Sequence, residues 1–255
     1  MKKFNAFTLA EVFHPAEQSK KFGFTLAEVL ITLGIIGVVA ALTMTSLIAN
    51  YQKKQTVSKL QKDMATVQQA IKMSEAFNGE TVNWTLPDKT HLGNTQAFAE
   101  NYLFPYLKTI KTSIPTSEDC WADTKTIAGN EAVDYKISGF GQVCGCAVLN
   151  NGTSIYFWTH GPHPIDYNDH HLQISIDING HRKGPNMLGK DVFAMIIPFK
   201  SGKIVPMAND YSRDEIISTT FKHGCNKDNQ SGYAGVSCAS LILKDSWQMS
   251  KDYPW

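Results

Sequence analysis

The feature that most constrains this chain is a long apolar run with one acid at its start. Lys20 and Lys21 precede Phe22, Gly23 and Phe24; Thr25-Leu-Ala-Glu28 then leads into residues 29–49, which carry no charged side chain. A run of this length meets the requirement of about 20 residues for a helix that crosses a bilayer. A secretory signal peptide has a shorter apolar core ending in a small-residue cleavage site. This run instead passes directly into a helix-like pattern, which argues that it is retained. Glu28 needs an explanation, because an acid at the bilayer centre costs about 2.5–3.5 kcal/mol on insertion scales. Near the end of the run the cost is smaller, but the carboxylate still requires a partner in low dielectric.

The string Gly23-Phe24-Thr25-Leu26, then Glu28 and the apolar residues Val29-Leu-Ile-Thr-Leu-Gly-Ile-Ile-Gly-Val-Val-Ala-Ala-Leu42, resembles the N-terminus of the type IV pilin and pseudopilin superfamily. The resemblance implies that a prepilin peptidase cuts after Gly23 on the cytoplasmic side. Phe24 then becomes the mature, N-methylated terminus. Glu28 would pair with the Phe24 amine of the neighbouring subunit in a filament. Cleavage thus creates a cation where a carboxylate lacks one. The resemblance covers the opening of the chain alone, so it bears on class and assembly rather than on the distal part. It also implies an N-in orientation. Lys2, Lys3, Lys20 and Lys21 favour that orientation, whereas Lys53, Lys54, Lys59 and Lys62 beyond the run weaken the charge argument. Many family members carry a proline where this chain has Thr45; here no proline occurs between Phe24 and Asn78, so a proline-driven helix break is not available.

The leader nearly repeats the motif. Phe7-Thr-Leu-Ala-Glu-Val12 is identical to Phe24-Thr-Leu-Ala-Glu-Val29. The first copy has Ala6 before its Phe, and a polar stretch with Pro15 follows it instead of an apolar run. It reads as a duplicated remnant inside the leader; an upstream start extension or a second processing point is the alternative.

Beyond Asn50 the helix is expected to continue in amphipathic form. Val57, Leu60, Met64, Val67 and Ile71 recur at three- and four-residue steps, with Lys53, Lys54, Lys59, Lys62, Asp63 and Gln68 on the other faces. Asn78-Gly79 is a stop signal. The pattern gives one helix of about fifty residues; a coiled-coil stalk is the rival reading of its second half. A second short helix is expected around residues 100–110, with Pro105 in it. Strands are expected at residues 132–137, 143–149, 154–158, 172–178, 192–198 and 203–205, with Asn150-Asn-Gly152 as a hairpin turn. The fold class is therefore α+β: pilin-like, a long N-terminal helix with a membrane half and an amphipathic half, packed on an antiparallel β-sheet. The expected organisation is a leader over residues 1–23, a transmembrane and assembly half over 24–49, an amphipathic half over 50–79, and a globular periplasmic or extracellular domain over 80–255.

Export would place the five cysteines in an oxidising space. Cys225 and Cys238 flank a polar, Gly-containing loop and make the first candidate pair, worth about 3 kcal/mol in the chain-entropy view. They resemble the C-terminal disulfide loop of many pilins. Cys120 is left to join Cys144 or Cys146. Asp177, Asn179 and Asp191 offer oxygens of the kind Ca²⁺ takes, and the resemblance to secretion pseudopilins implies calcium in this part of the fold. The rival is a polar turn at Asn179-Gly180. His160, His163, His170 and His171 cluster in a loop with Pro162 and Pro164, and no helical spacing holds two imidazoles on one face. No cofactor is required, and no residue is assigned to catalysis.

A net charge of +1 and a pI near 7.7 give no nucleic-acid footprint. The expected function is a structural subunit, a minor pilin or pseudopilin, that polymerises through its N-terminal helix into a type IV pilus or a type II secretion pseudopilus. The expected partners are prepilin peptidase, other pilin or pseudopilin subunits and the inner-membrane assembly platform. Before assembly the chain would sit in the inner membrane, and afterwards in a filament on the cell surface or in the periplasm. The alternatives are a filament-tip module for adhesion or DNA uptake, and a membrane-anchored metal-dependent enzyme using the His cluster.

Overall fold

A computed structural model describes residues 23–85, 94–113, 119–133, 135, 145–160 and 171–255. The repeated leader motif lies outside them. Contacts divide the chain into two compact units, with the boundary between Leu47 and Ile48. Helix α1, Leu26–Asn78, contributes to both. Its length follows from the absence of proline and from a dense supply of Leu, Ala, Lys, Gln and Met, which are good helix formers. Gly79 ends it at φ +78°, the left-handed conformation that terminates helices.

In the first unit the large apolar side chains from Leu26 to Leu47 are exposed. This stretch is long and apolar enough to cross a membrane. Its threonines bond back to the helix: Thr32 Oγ1 donates to Glu28 O at 2.9 Å and Thr43 Oγ1 to Val39 O at 2.9 Å. Such bonds satisfy these hydroxyls where water is absent.

In the second unit α1 turns one face inward. Val57, Leu60, Met64, Val67, Ala70 and Ile71 are buried and join the main core, so the three- and four-residue spacing marks a seam against a sheet and not a stalk. Among the described residues six strands form a meander in which each pairs antiparallel with the next: β1 Thr109–Ser113, β2 Gly145–Leu149, β3 Ser154–His160, β4 His171–Asp177, β5 Val192–Pro198 and β6 Val205–Pro206. Both faces are covered over the central strands β2 to β5. Ala147, Leu149, Ile155, Phe157, Ile174, Ile176, Phe193 and Met195 share the core of α1. Cys146, Val148, Tyr156, Val192 and Ala194 face a second layer built on Cys120, Trp121, Ala132, Leu188 and Val236. Two covered faces explain why β2 is buried throughout instead of alternating.

Several expectations change at element ends. The segment expected as a helix over 100–110 is divided. Helix α2 is Asn94–Tyr102, a single 3₁₀ turn follows at Phe104–Tyr106, and Thr109 already belongs to β1. Pro105 lacks an N–H and cannot continue the helix, and the β-branched Thr109 and Ile110 suit a strand. Ala132 and Val133 lie in no strand; the rest of that expected strand is mostly outside the described residues. Two short helices went unseen in the sequence: α3, Arg213–Ile217, and α4, Cys238–Lys244. Helix α3 starts on a capping box between Ser212 and Glu215. Arg213 ties it to the C-terminal segment through Asp245 at 2.7 Å and Asp252 at 3.2 Å.

Candidate functional site

Gly23 and Phe24 precede α1, and Phe24 is 87% exposed. Thr25 caps the helix. Its backbone N–H and its Oγ1 both donate to Glu28 Oε2, each at 2.8 Å, and Glu28 N–H donates back to Thr25 Oγ1 at 3.2 Å. This is the reciprocal capping box of a Thr-x-x-Glu sequence. Thr25-Leu-Ala-Glu28 carries this helix-start signal in the sequence itself, independent of the membrane cost of the carboxylate. Among the described residues no donor reaches Glu28 Oε1. The acid thus commits one oxygen, Oε2, to its own helix.

The second cluster lies where the β2–β3 and β4–β5 turns meet. Gly180 sits at φ +87°, and a Cβ there would overlap Gly152 O, so glycine is required for both conformation and contact. Asp177 Oδ1 accepts from Gly180 N–H at 2.9 Å and from Asn179 N–H at 3.2 Å. Asp191 accepts from Met187 N–H at 2.7 Å, from Asn186 N–H at 2.9 Å and from Asn179 Nδ2 at 3.3 Å. Burial, and then the Asp191 charge, push Asp177 up to about 7; burial also raises Asp191.

These three residues do meet. N–H donors occupy both Asp191 oxygens and one of Asp177, and Asn179 turns its NH₂, not its carbonyl oxygen, toward Asp191. Among the described residues no group of three or more His, Cys, Asp or Glu side chains is placed to hold a metal. The structure shows a turn locked by its own backbone N–H groups, an Asx-type arrangement.

Two buried polar groups nearby had no sequence signal. Asp63, expected on an outer face of α1, is fully buried. It accepts from Thr153 Oγ1 at 2.9 Å and from Asn151 Nδ2 at 2.8 Å, fixing the helix to the β2–β3 turn. Burial raises its pKa against those two hydrogen bonds. Gln68, also placed outward, instead donates to Gly202 O and accepts from Ile204 N–H, both at 2.9 Å. The other group is the pair of Ser154 Oγ and His181 Nδ1 at 2.8 Å. Ser154 is wholly buried, so this pair holds the two turns together and offers no nucleophile.

Cys225 is joined to Cys238 across a sequence separation of 13, and Cys120 is joined to Cys146. Of the two partners open to Cys120, the structure gives the place to Cys146 and not to the candidate Cys144, which lies outside the described residues. Cys146 points from β2 into the layer of Trp121 and Tyr156, where Cys120 is buried. Of the four clustered histidines, His160 and His171 sit opposite each other across β3 and β4, while His163 and His170 lie outside the described residues.

A family model described as a family of unknown function (DUF6613) matches residues 46–255, and one described as the prokaryotic N-terminal methylation motif matches residues 18–44. The two matches abut close to the Leu47/Ile48 division between the compact units. No curated protein and no solved structure matches the chain. The methylation motif identifies the N-terminal segment as that of the type IV pilin and pseudopilin superfamily. The α+β architecture of a long apolar helix with an antiparallel sheet is the pilin-like one.

Proposed function

The chain belongs to that family of unknown function and opens on a pilin-type methylation motif, and from this premise we propose that it is a minor pilin or pseudopilin that assembles through its N-terminal helix. Residues 1–23 are the leader removed by prepilin peptidase. Residues 24–49 are the membrane and assembly half, 50–79 the amphipathic half, and 80–255 the globular domain outside the cytoplasm. Phe24 is the methylated terminus. In the inner membrane the helix is held by lipid, and in a filament by other subunits. Assembly involves the inner-membrane platform and leads to the cell surface or the periplasm.

The observation that carries this reading is Glu28. It stands on the first turn of a helix whose apolar surface is uncovered, with one oxygen used by Thr25 and the other without a donor among the described residues. A neighbouring Phe24 amine is the cation that processing creates there. Capping and intermolecular pairing are separable. Glu28→Gln keeps a side chain able to serve the capping box but removes the charge, whereas Glu28→Ala removes both.

If the pairing reading is correct, both variants insert and are processed, yet both fail to enter filaments or secretion complexes. Wild-type incorporation of Glu28→Gln, with loss only in Glu28→Ala, would assign the residue to capping alone. Gly23→Val should leave the precursor uncut, read as an intact mass from Met1; a normal mature mass in that variant would overturn the processing site.

A further inference from the structure

The globular unit contains two neighbouring cavities with volumes of about 510 and 740 Å³. They share Lys59, Asn151 and Asn179 as a common wall, so they form one divided cleft. Each is within the size of small-molecule sites, roughly 300–1,000 Å³. Six cations line it: Lys54, Lys59 and Lys62 from α1, Lys111 from β1, and Arg182 and Lys183 from the β4–β5 turn. Asp119 is the carboxylate among the lining residues, and it is paired with Lys111 at 2.8 Å. Asp63, Asp177 and Asp191 lie beneath the wall, each turned to N–H or O–H donors of the turns. The cations outnumber the carboxylates even when these three are counted. In a chain of net charge +1, the cleft is therefore net positive.

The cleft is also organised. Lys59 Nζ donates to Ile178 O, which holds its ammonium at the junction of the two cavities. Ser154 fixes the buried His181 ring in the wall. Ile110, 70% exposed, stands beside Val148 as an apolar side of the first cavity, and Tyr51 and Ile178 line the second. Spread ammonium groups and one guanidinium converging from three elements suit an anion with several oxygens, since Lys binds phosphate as a point charge and Arg does so bidentately. Apolar sides beside them suit a ligand that is not purely ionic.

We propose that this cleft binds a phosphate ester with an apolar portion. The same chemistry is presented by a soluble phosphate monoester and by the headgroup of an anionic phospholipid. The proposal does not depend on assembly through α1.

The test uses the full-length chain in a neutral maltoside detergent and follows binding by titration calorimetry. The probes are phenyl phosphate, and mixed micelles doped with phosphatidylglycerol or with phosphatidylcholine. Arg182 and Lys183 are exposed on the turn, so R182A/K183A should leave the fold intact, checked by an unchanged melting curve. Lys59→Met is a second variant at the junction.

Saturable binding of phenyl phosphate, weakened about tenfold or more by R182A/K183A, supports the proposal with a soluble ligand. Saturable binding confined to phosphatidylglycerol micelles, with the same loss in the variant, supports it with a lipid headgroup. Added salt should weaken either. The proposal is overturned if no phosphate-bearing probe saturates, if phosphatidylcholine binds as well as phosphatidylglycerol, or if both variants bind like the wild type. It is also overturned if a short DNA duplex binds more tightly than every ester and loses that binding in R182A/K183A, since a nucleic-acid backbone would then be the ligand.

Discussion

The stretch from Gly23 to Leu47 and the unit that begins at Ile48 place opposite demands on their sequence. In the first, apolar side chains are exposed and the side-chain hydrogen bonds are local, within four residues of their partners. In the second, apolar side chains are covered, and the deciding polar bonds cross long stretches of chain. Asp63 reaches Thr153, Gln68 reaches Gly202, and Ser154 reaches His181. The difference teaches that the first region is specified for an environment the chain itself does not provide, and the second for its own interior. A substitution of one type should therefore have separate consequences in the two.

Leu60→Ala and Leu33→Ala make that contrast sharpest. Leu60 is fully buried against the sheet, and Leu33 is 60% exposed. Leu60→Ala removes core contacts and leaves a cavity, so the globular unit should lose about 2–5 kcal/mol. Leu33→Ala should leave the melting of that unit unchanged and instead reduce incorporation into filaments. Equal destabilisation by both, measured by chemical denaturation in detergent, would break the comparison.

The same contrast explains what was legible in the sequence. The apolar run, Glu28, the Gly79 stop and the hairpin at Asn150-Asn-Gly152 are local signals, and each is read from neighbouring residues. Strands β2 to β5 were also visible, since Val, Ile and Phe accumulate between turn residues. Asp63 was misplaced because a helical wheel knows only which residues are apolar. It does not know that Asn151 and Thr153 wait opposite an aspartate on the inner side. The choice of Cys146 over Cys144 depends on which face of β2 meets Trp121, and that face exists only once the second layer is folded. The cationic cleft was hidden for a related reason. Its six cations come from three separated segments, and the near-zero net charge conceals their convergence.

The disulfide between Cys225 and Cys238 sharpens the comparison from within the globular unit. It closes a loop of sequence separation 13, for which chain-entropy reasoning gives about 3 kcal/mol. Cys225→Ala/Cys238→Ala should lower the melting temperature of that unit by about 6–12 °C on the scaling for a domain of this size. Insertion and processing of the N-terminal segment should be untouched. A processing defect in this double variant would mean that the two units are not independent in the way their contacts indicate.

The smallest effect concerns Asp177, and its sign follows from burial. The folded-state pKa is raised to about 7 by desolvation and then by Asp191, whereas an unfolded aspartate titrates near 3.9. The folded state thus holds this proton more tightly than the unfolded state does. The stability it contributes is fully present below the unfolded pKa and is lost as pH rises through about 7. Asp191 and Asp63 are shifted in the same direction. His223 is lowered by burial and by Lys222, so it works the opposite way as pH falls through the ordinary histidine range. The useful quantity is therefore the difference between wild type and Asp177→Asn. Asparagine keeps the oxygen that accepts from Gly180 and Asn179, but it carries no charge to repel Asp191. Between pH 5 and pH 8 the wild-type melting temperature should fall by about a few °C more than that of Asp177→Asn. Parallel curves would mean that Asp177 is already ionised in the folded protein at pH 5. The Lys59 ammonium on Ile178 O, beside Asp177, would then outweigh burial and the Asp191 charge.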